Sequence, residues 1–265
     1  MAARLSVNLG LSERTAIVCA STAGLGRACA EALLAEGVRV VVNGRDKART
    51  DAAAHELLAR WPGMVDRVAA DVTTPEGRAA LLAACADPDI LVTNNAGPEP
   101  GAFEGFDEGA WMAALAANTV APLMLVRAVL PAMRARRFGR IVNITSAMVT
   151  TPRPGMALSS GARAGLTAAL KGVLLEVAKD NVTINNLLPE RFDTERQVRL
   201  AKTAMARDGI DWDEARAKQL ATVPAGRLGR PDEFGATCAF VCSMQASYMT
   251  GMNIRLDGGT YPALL

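Results

Sequence analysis

Short runs of apolar, β-branched residues alternate with longer helical stretches along the chain. Residues 15–20 (TAIVCA) read as a first strand, 25–36 as a helix ending at Gly37, and 38–43 (VRVVVN) as a second strand. A polar-faced helix over 46–61 leads to a third strand at 65–69. A helix over 74–85, with Pro75 in its first turn, leads to a fourth at 90–93. Then come a long helical region over 107–136, a fifth strand at 140–144, an Ala/Leu-rich helix over 155–179 and a sixth strand at 182–188. A helix over 231–244 and a last strand at 252–256 complete the pattern. Strands apolar on both faces, each followed by a helix, predict an α/β domain with a doubly wound parallel sheet of about seven strands and helices on both faces. No linker divides residues 1–265, so one domain is expected. The stretch 190–222 stands apart: rich in Arg, Lys, Asp and Glu, it reads as a lid inserted over the C-terminal edge of the sheet.

Composition narrows the possible functions. The 265 residues are 50% hydrophobic with net charge +2, which supports a large core and excludes disorder. There is no basic cluster interleaved with aromatic residues, so nucleic acid is not expected as a partner. A single histidine, His55, excludes a histidine-rich metal site, and no metal is expected. The five cysteines are odd in number and show no C-x-x-C pair; they read as small apolar filler in a reducing, cytoplasmic compartment. No leader sequence is read, and Asn118, Thr119 and Pro122 interrupt the longest charge-free stretch as a membrane span. The two tyrosines, Tyr248 and Tyr261, lie near the end of the chain.

The candidate chemistry begins after the first strand, with Cys19-Ala20-Ser21-Thr22-Ala23-Gly24-Leu25-Gly26. Glycines at a strand-to-helix turn let a pyrophosphate approach the backbone, and the helix N-terminus stabilises its charge. Further on stand Asn94-Asn95-Ala96-Gly97 after the fourth strand, Asn118 in the long helix, GRIVNITS over 139–146, Pro189 with Thr194, and Asp257-Gly258-Gly259. In order and spacing these resemble the motifs of the short-chain dehydrogenase/reductase family over nearly the whole chain. Cys19 and Ala20 stand for the threonine and first glycine of its T-G-x-x-x-G-x-G turn. The resemblance implies a Rossmann-like domain that binds a nicotinamide dinucleotide. It assigns Ala20, Ser21, Thr22, Gly24, Leu25 and Gly26 to the phosphate turn, and Asp71 with Val72 to the adenine edge. Asn95, Ala96 and Gly97 fall to the ribose region, and Pro189 and Thr194 to the carboxamide. Gly44 stands where an acid would select NAD, and Arg45 follows it; arginine can hold the extra phosphate, so NADPH is expected over NADH.

The catalytic pattern of that family is a serine, a tyrosine 13 residues later and a lysine four beyond. Here Ser146 is followed at those spacings by Ser159 and Arg163, still on one helix face. Tyrosine ionises near pH 10, an aliphatic hydroxyl is a far weaker acid, and arginine keeps its proton. Arg163 is left to bind the nicotinamide ribose and stabilise an oxyanion. Asn118 matches the structural asparagine of the catalytic set. Glu190, where the family usually has glycine, is either a buried proton donor or a solvated acid paired with Arg191. His55, on the helix after the second strand, is placed away from the reaction edge, and Tyr261 could serve only a neighbouring subunit.

The segment around Ser159 and Arg163 resembles a divergent β-ketoacyl-acyl-carrier-protein-reductase-like subgroup lacking the Tyr-x-x-x-Lys pair. The function implied is an NADPH-dependent oxidoreductase acting on a carbonyl or enone, small or acyl-carrier-linked. The alternatives are an NADPH-binding protein or sensor without turnover, and a non-redox isomerase or lyase. Arg191, Arg196, Arg199 and Lys202 in the lid are either solvated or attract an anionic substrate. By the same resemblance the helices over 107–136 and 155–179 pair copies into a homodimer or homotetramer.

Overall fold

The computed structural model describes residues 8–264; residues 1–7 and 265, which hold the start of the stretch read for a leader and the outer limits of the expected domain, lie outside the described residues. Seven strands form one parallel sheet: β1 (Thr15–Val18), β2 (Arg39–Gly44), β3 (Val65–Ala69), β4 (Ile90–Thr93), β5 (Gly139–Ile144), β6 (Val182–Pro189) and β7 (Asn253–Leu256). Their order is β3-β2-β1-β4-β5-β6-β7. From β1 the chain winds outward through β2 and β3, then returns to place β4 on the other side of β1. That reversal opens a crevice at the C-terminal ends of β1 and β4.

Side chains alternate between two cores, one on each face. Along β1, Ala16 and Val18 join the core beneath α1 (Gly24–Ala35), α2 (Lys47–Arg60) and α9 (Pro231–Cys242). Ile17 points into the other, under α3 (Pro75–Ala84), α5 (Ala121–Ala135) and α6 (Ala157–Val177). Polar residues lie buried just below the C-terminal edge. Thr93 Oγ1 donates to Asn143 Oδ1 at 2.7 Å, and Asn143 Nδ2 to Asn186 Oδ1 at 3.0 Å. Asn186 Nδ2 then donates to Asn253 Oδ1 at 2.9 Å. These four residues are register partners on β4, β5, β6 and β7, so one chain of side-chain hydrogen bonds crosses four strands, from buried Thr93 to exposed Asn253 at the start of β7.

The long helical region resolves into α4 (Glu108–Leu115), a π-helical turn (Ala116–Val120) and α5. Ala121 N–H donates to Ala116 O, five residues back. In that register the carbonyl of Ala117 would meet Pro122, which has no N–H, and it accepts instead from Asn95 Nδ2 at 3.3 Å. By length and composition this 28-residue helix could cross a membrane, but Leu125, Val126, Val129 and Met133 are buried in the core against the sheet.

The charged stretch after β6 forms two helices, α7 (Glu195–Asp208) and α8 (Trp212–Leu220). Each buries a single residue, Ala201 and Ala215 respectively, and charged and polar residues dominate both helices.

Candidate active site

The turn after β1 is held by Asn43 at the end of β2. Its Oδ1 accepts from Ala20 N at 3.2 Å, while its Nδ2 donates to Val68 O and Ala70 O, both at 3.1 Å. Ser21 Oγ donates to Val18 O at 2.7 Å and accepts from Asn43 N at 3.0 Å, so this hydroxyl is committed within the fold. Ala20 takes φ +45°, the left-handed conformation for which glycine is suited. At Gly26 a Cβ would lie 2.3 Å from Ala20 O, so only glycine lets α1 start this close to the strand. Asn94 Nδ2 donates to the same carbonyl at 3.2 Å, tying the end of β4 to the turn.

The residues present fit a dinucleotide. The N-cap of α1, Ala23, supplies no side-chain hydrogen bond, and the first turn of α1 has no acidic residue. Its open N–H groups and positive end suit a pyrophosphate. At Gly44 a Cβ would stand 2.5 Å from Thr22 Cγ2 and 2.6 Å from Thr50 Oγ1, leaving no room for a carboxylate, whereas Arg45 is exposed on the cleft wall. Asp71 Oδ1 accepts from Thr73 N at 2.9 Å and Thr73 Oγ1 at 2.8 Å. Burial opposes ionisation there, but these bonds and the charge of Arg45 hold the carboxyl below its ordinary range. Val72 beside it is buried.

A cleft of about 680 Å³ runs across the C-terminal ends of the strands. Of the residues read from the sequence, Gly24, Leu25, Arg45, Asn95, Ala96, Gly97, Ser146, Ser159, Arg163, Pro189, Glu190 and Thr194 line it. Ala20, Ser21, Thr22, Gly26, Gly44, Asp71 and Val72 are not on its wall; Asn43, Gly26 and Gly44 shape the turns behind it. Asn118 is buried in the π turn and donates to Ala114 O at 3.2 Å. His55 is exposed on α2, Tyr248 is fully exposed, and the Tyr261 ring stacks on Arg255 at 4.2 Å; none of the three lines the cleft.

At the reaction end, Ser146 Oγ accepts from Met148 N at 3.2 Å and Ser159 Oγ accepts from Arg163 Nη1 at 2.7 Å. Each hydroxyl therefore keeps its own proton for the cleft. Arg163 is 7% exposed, and its Nε has no partner. Burial, reinforced by the charge of Arg196, pulls its pKa down to about 10, still far above neutrality.

The Glu190 side chain is buried, as expected for a donor, and stands 3.7 Å from Arg191 Nε, as expected for a paired acid; its nearer partner is Arg153 Nη1 at 2.6 Å. Arg153 had no signal in the sequence, where it reads as one more loop cation. Asn43 did have one, as an amide that follows the apolar run Val40-Val41-Val42.

The family sequence model described as "Enoyl-(Acyl carrier protein) reductase" matches residues 19–261. NADPH-dependent reductase BacG of Bacillus subtilis is 29% identical over 259 residues, 96% of this chain and 100% of that protein. The 3-oxoacyl-[acyl-carrier-protein] reductase FabG of Vibrio cholerae is 32% identical over 257 residues, 96% of this chain and 99% of the relative. Among solved structures, L-sorbose reductase from Gluconobacter frateurii, complexed with NADPH and L-sorbose, superposes with TM-score 0.92 at 28% identity, covering 97% of this chain and 100% of that one. The crevice at the strand reversal, the glycine turn and this full-length likeness together establish that the chain belongs to the short-chain dehydrogenase/reductase family.

Proposed function

We propose that this protein is an NADPH-dependent reductase that acts without a tyrosine acid, and that its substrate is an enone or similarly activated carbonyl. The observation that carries this reading is the Arg163–Ser159 hydrogen bond in the place of an acid–base pair. Bound NADPH supplies a hydride. The N-terminus of α1 and Arg45 would hold its phosphates, Asn95 and Arg163 its nicotinamide ribose, and Pro189 and Thr194 its carboxamide. Thr194 stands over the start of α1, where a Cβ at Gly24 would be 3.8 Å from its Cγ2.

On the substrate side, the Ser146 and Ser159 hydroxyls point hydrogen-bond donors at the carbonyl oxygen, and Arg163 places positive charge behind Ser159. Donors aimed at developing negative charge in a dry site are worth several kcal/mol of barrier, on the order of 10²–10³ in rate for each. Neither serine gives up its proton readily, so the oxyanion is stabilised but not neutralised. An enolate formed by hydride addition at the β-carbon suits such a site, because water can protonate its carbon afterwards. A simple alkoxide needs a proton at once, and general acid catalysis typically supplies about 10²–10⁴-fold there. The substrate, small or acyl-carrier-linked, enters beneath α7.

The test is NADPH oxidation by purified protein with matched enones and saturated ketones. Enone turnover well above that of the ketones is expected. Tight NADPH binding with no oxidation across the panel would sink the reading in favour of a cofactor-binding protein.

We assign the cytoplasm as the compartment, on the five free cysteines. We also propose a homo-oligomer built on the outer faces of α5 and α6. Leu123, Met124, Leu130 and Val173 line an apolar groove of about 630 Å³ there. Sedimentation at micromolar concentration tests it, with dimer or tetramer expected.

A further inference from the structure

Three carboxylates line the cleft, and each already has an arginine. Glu99 is 2.6 Å from Arg199, Glu190 is 2.6 Å from Arg153, and Glu195 is 3.4 Å from Arg49. Apart from the exposed Arg45, two further guanidiniums on the wall, Arg163 and Arg196, make no ion pair among the described residues, although the charge of Glu99 acts on Arg196. They flank one point of the backbone: a Cβ at Gly97 would be 2.9 Å from Arg196 Nη1 and 3.3 Å from Arg163 Nη2. Arg196 gives long hydrogen bonds to Gly97 O and Pro98 O, at 3.3 and 3.4 Å. Arg163 gives one, to Ser159, and is more than nine-tenths buried. A buried cation beside a second cation, with no counter-ion, is costly unless something else supplies the negative charge.

We propose that the substrate supplies it: the enone reduced in this cleft is an anion whose carboxylate pairs with Arg163 and Arg196. This rests on the reductase reading above. The groups suited to the cofactor phosphates, the N-terminus of α1 and Arg45, follow β1 and β2, whereas these two arginines stand over the turn after β4. A ribose hydroxyl or carbonyl oxygen at Arg163 accepts a hydrogen bond but leaves the charge uncompensated. A carboxylate matches a guanidinium fork in plane and charge, and here two forks stand side by side over one backbone position on the cleft wall. The substrate class is therefore a carboxylate-bearing α,β-unsaturated ketone, of which 4-oxo-2-pentenoate is a minimal example.

The test separates binding from turnover. NADP⁺-saturated protein is titrated calorimetrically with 4-oxopentanoate, which has no double bond to reduce, and with its methyl ester. The acid is expected to bind at least about tenfold tighter, the worth of one charge-assisted hydrogen bond. Arg163→Met abolishes the preference, Arg196→Met reduces it and Arg163→Lys restores part, each titration being run at an NADP⁺ concentration that saturates that variant, because Arg163 also serves the cofactor. Equal binding of acid and ester, binding of neither, or a preference that survives both methionine variants overturns the proposal. Arginine-dependent binding of the acid, with no NADPH oxidation by 4-oxo-2-pentenoate or any other enone, overturns the reductase reading and leaves the anion seat standing.

Discussion

Arg163 Nη1 donates to Ser159 Oγ at 2.7 Å across one turn of α6. Both residues are buried, and both stand on the wall of the cleft. The bond turns an aliphatic hydroxyl into a positioned donor backed by a permanent charge, which is a device for holding an oxyanion and a poor one for delivering a proton. Restoring the acid therefore changes the reaction. Ser159→Tyr with Arg163→Lys is expected to raise reduction of simple ketones by about 10²-fold or more, the usual contribution of general acid–base catalysis. NADPH oxidation with a saturated ketone series checks it.

The buried guanidinium also has a cost in stability. Burial and the charge of Arg196 pull its pKa in the fold down to about 10 from the ordinary arginine value, so between the two the unfolded chain holds a proton that the folded one has lost. Stability gained from this group rises with pH across that window, and below it burial of the cation costs about 3 kcal/mol. Arg163→Met is expected to raise the melting temperature of the cofactor-free protein at pH 7 by about 2–5 °C, after loss of the Ser159 bond is allowed for, while lowering turnover. A thermal scan beside an activity assay reads both effects; a fall in melting temperature contradicts the first.

At the phosphate turn, Ala20 holds φ +45° at a cost that glycine avoids. Ala20→Gly is expected to stabilise the protein by about 1 kcal/mol, visible as a shift in the denaturant midpoint without change in slope.

Cofactor choice depends on a missing side chain and its neighbour. Gly44→Asp is expected to destabilise the domain without creating NADH preference, because its Cβ would fall 2.5 Å from Thr22 Cγ2. Arg45→Ala, by contrast, is expected to raise the KM for NADPH about tenfold or more and leave that for NADH nearly unchanged. Steady-state kinetics with both cofactors distinguishes the two substitutions.

Asn143 accepts from Thr93 and donates to Asn186 inside the sheet. Asn143→Leu strands both partners and is expected to cost about 2–4 kcal/mol, with loss of cleft function following loss of strand alignment. Chemical denaturation measures it; a neutral result means that the chain of amides is not what aligns these strands.

The architecture was legible in the sequence because a sheet buried on both faces writes itself as separate apolar runs, and all seven strands lie where those runs stand. The tight turn after β1 was legible too, since close backbone approaches such as that at Gly26 leave glycines at fixed spacings. So was the serine–arginine substitution, because the distance from Ser146 is counted along one chain. Helices α7 and α8 were not, because charged and polar residues dominate both and mask the few apolar positions. Nor could spacing decide how Glu190 and Arg163 are partnered. Arg153 reaches Glu190 across 37 positions of sequence, while no acid reaches Arg163. Sequence by itself determined the scaffold and the spacing that sets Ser159 and Arg163 after Ser146. Tertiary structure alone decided which charges are already paired, because ion pairing is set by distances of a few ångströms between segments far apart in the chain.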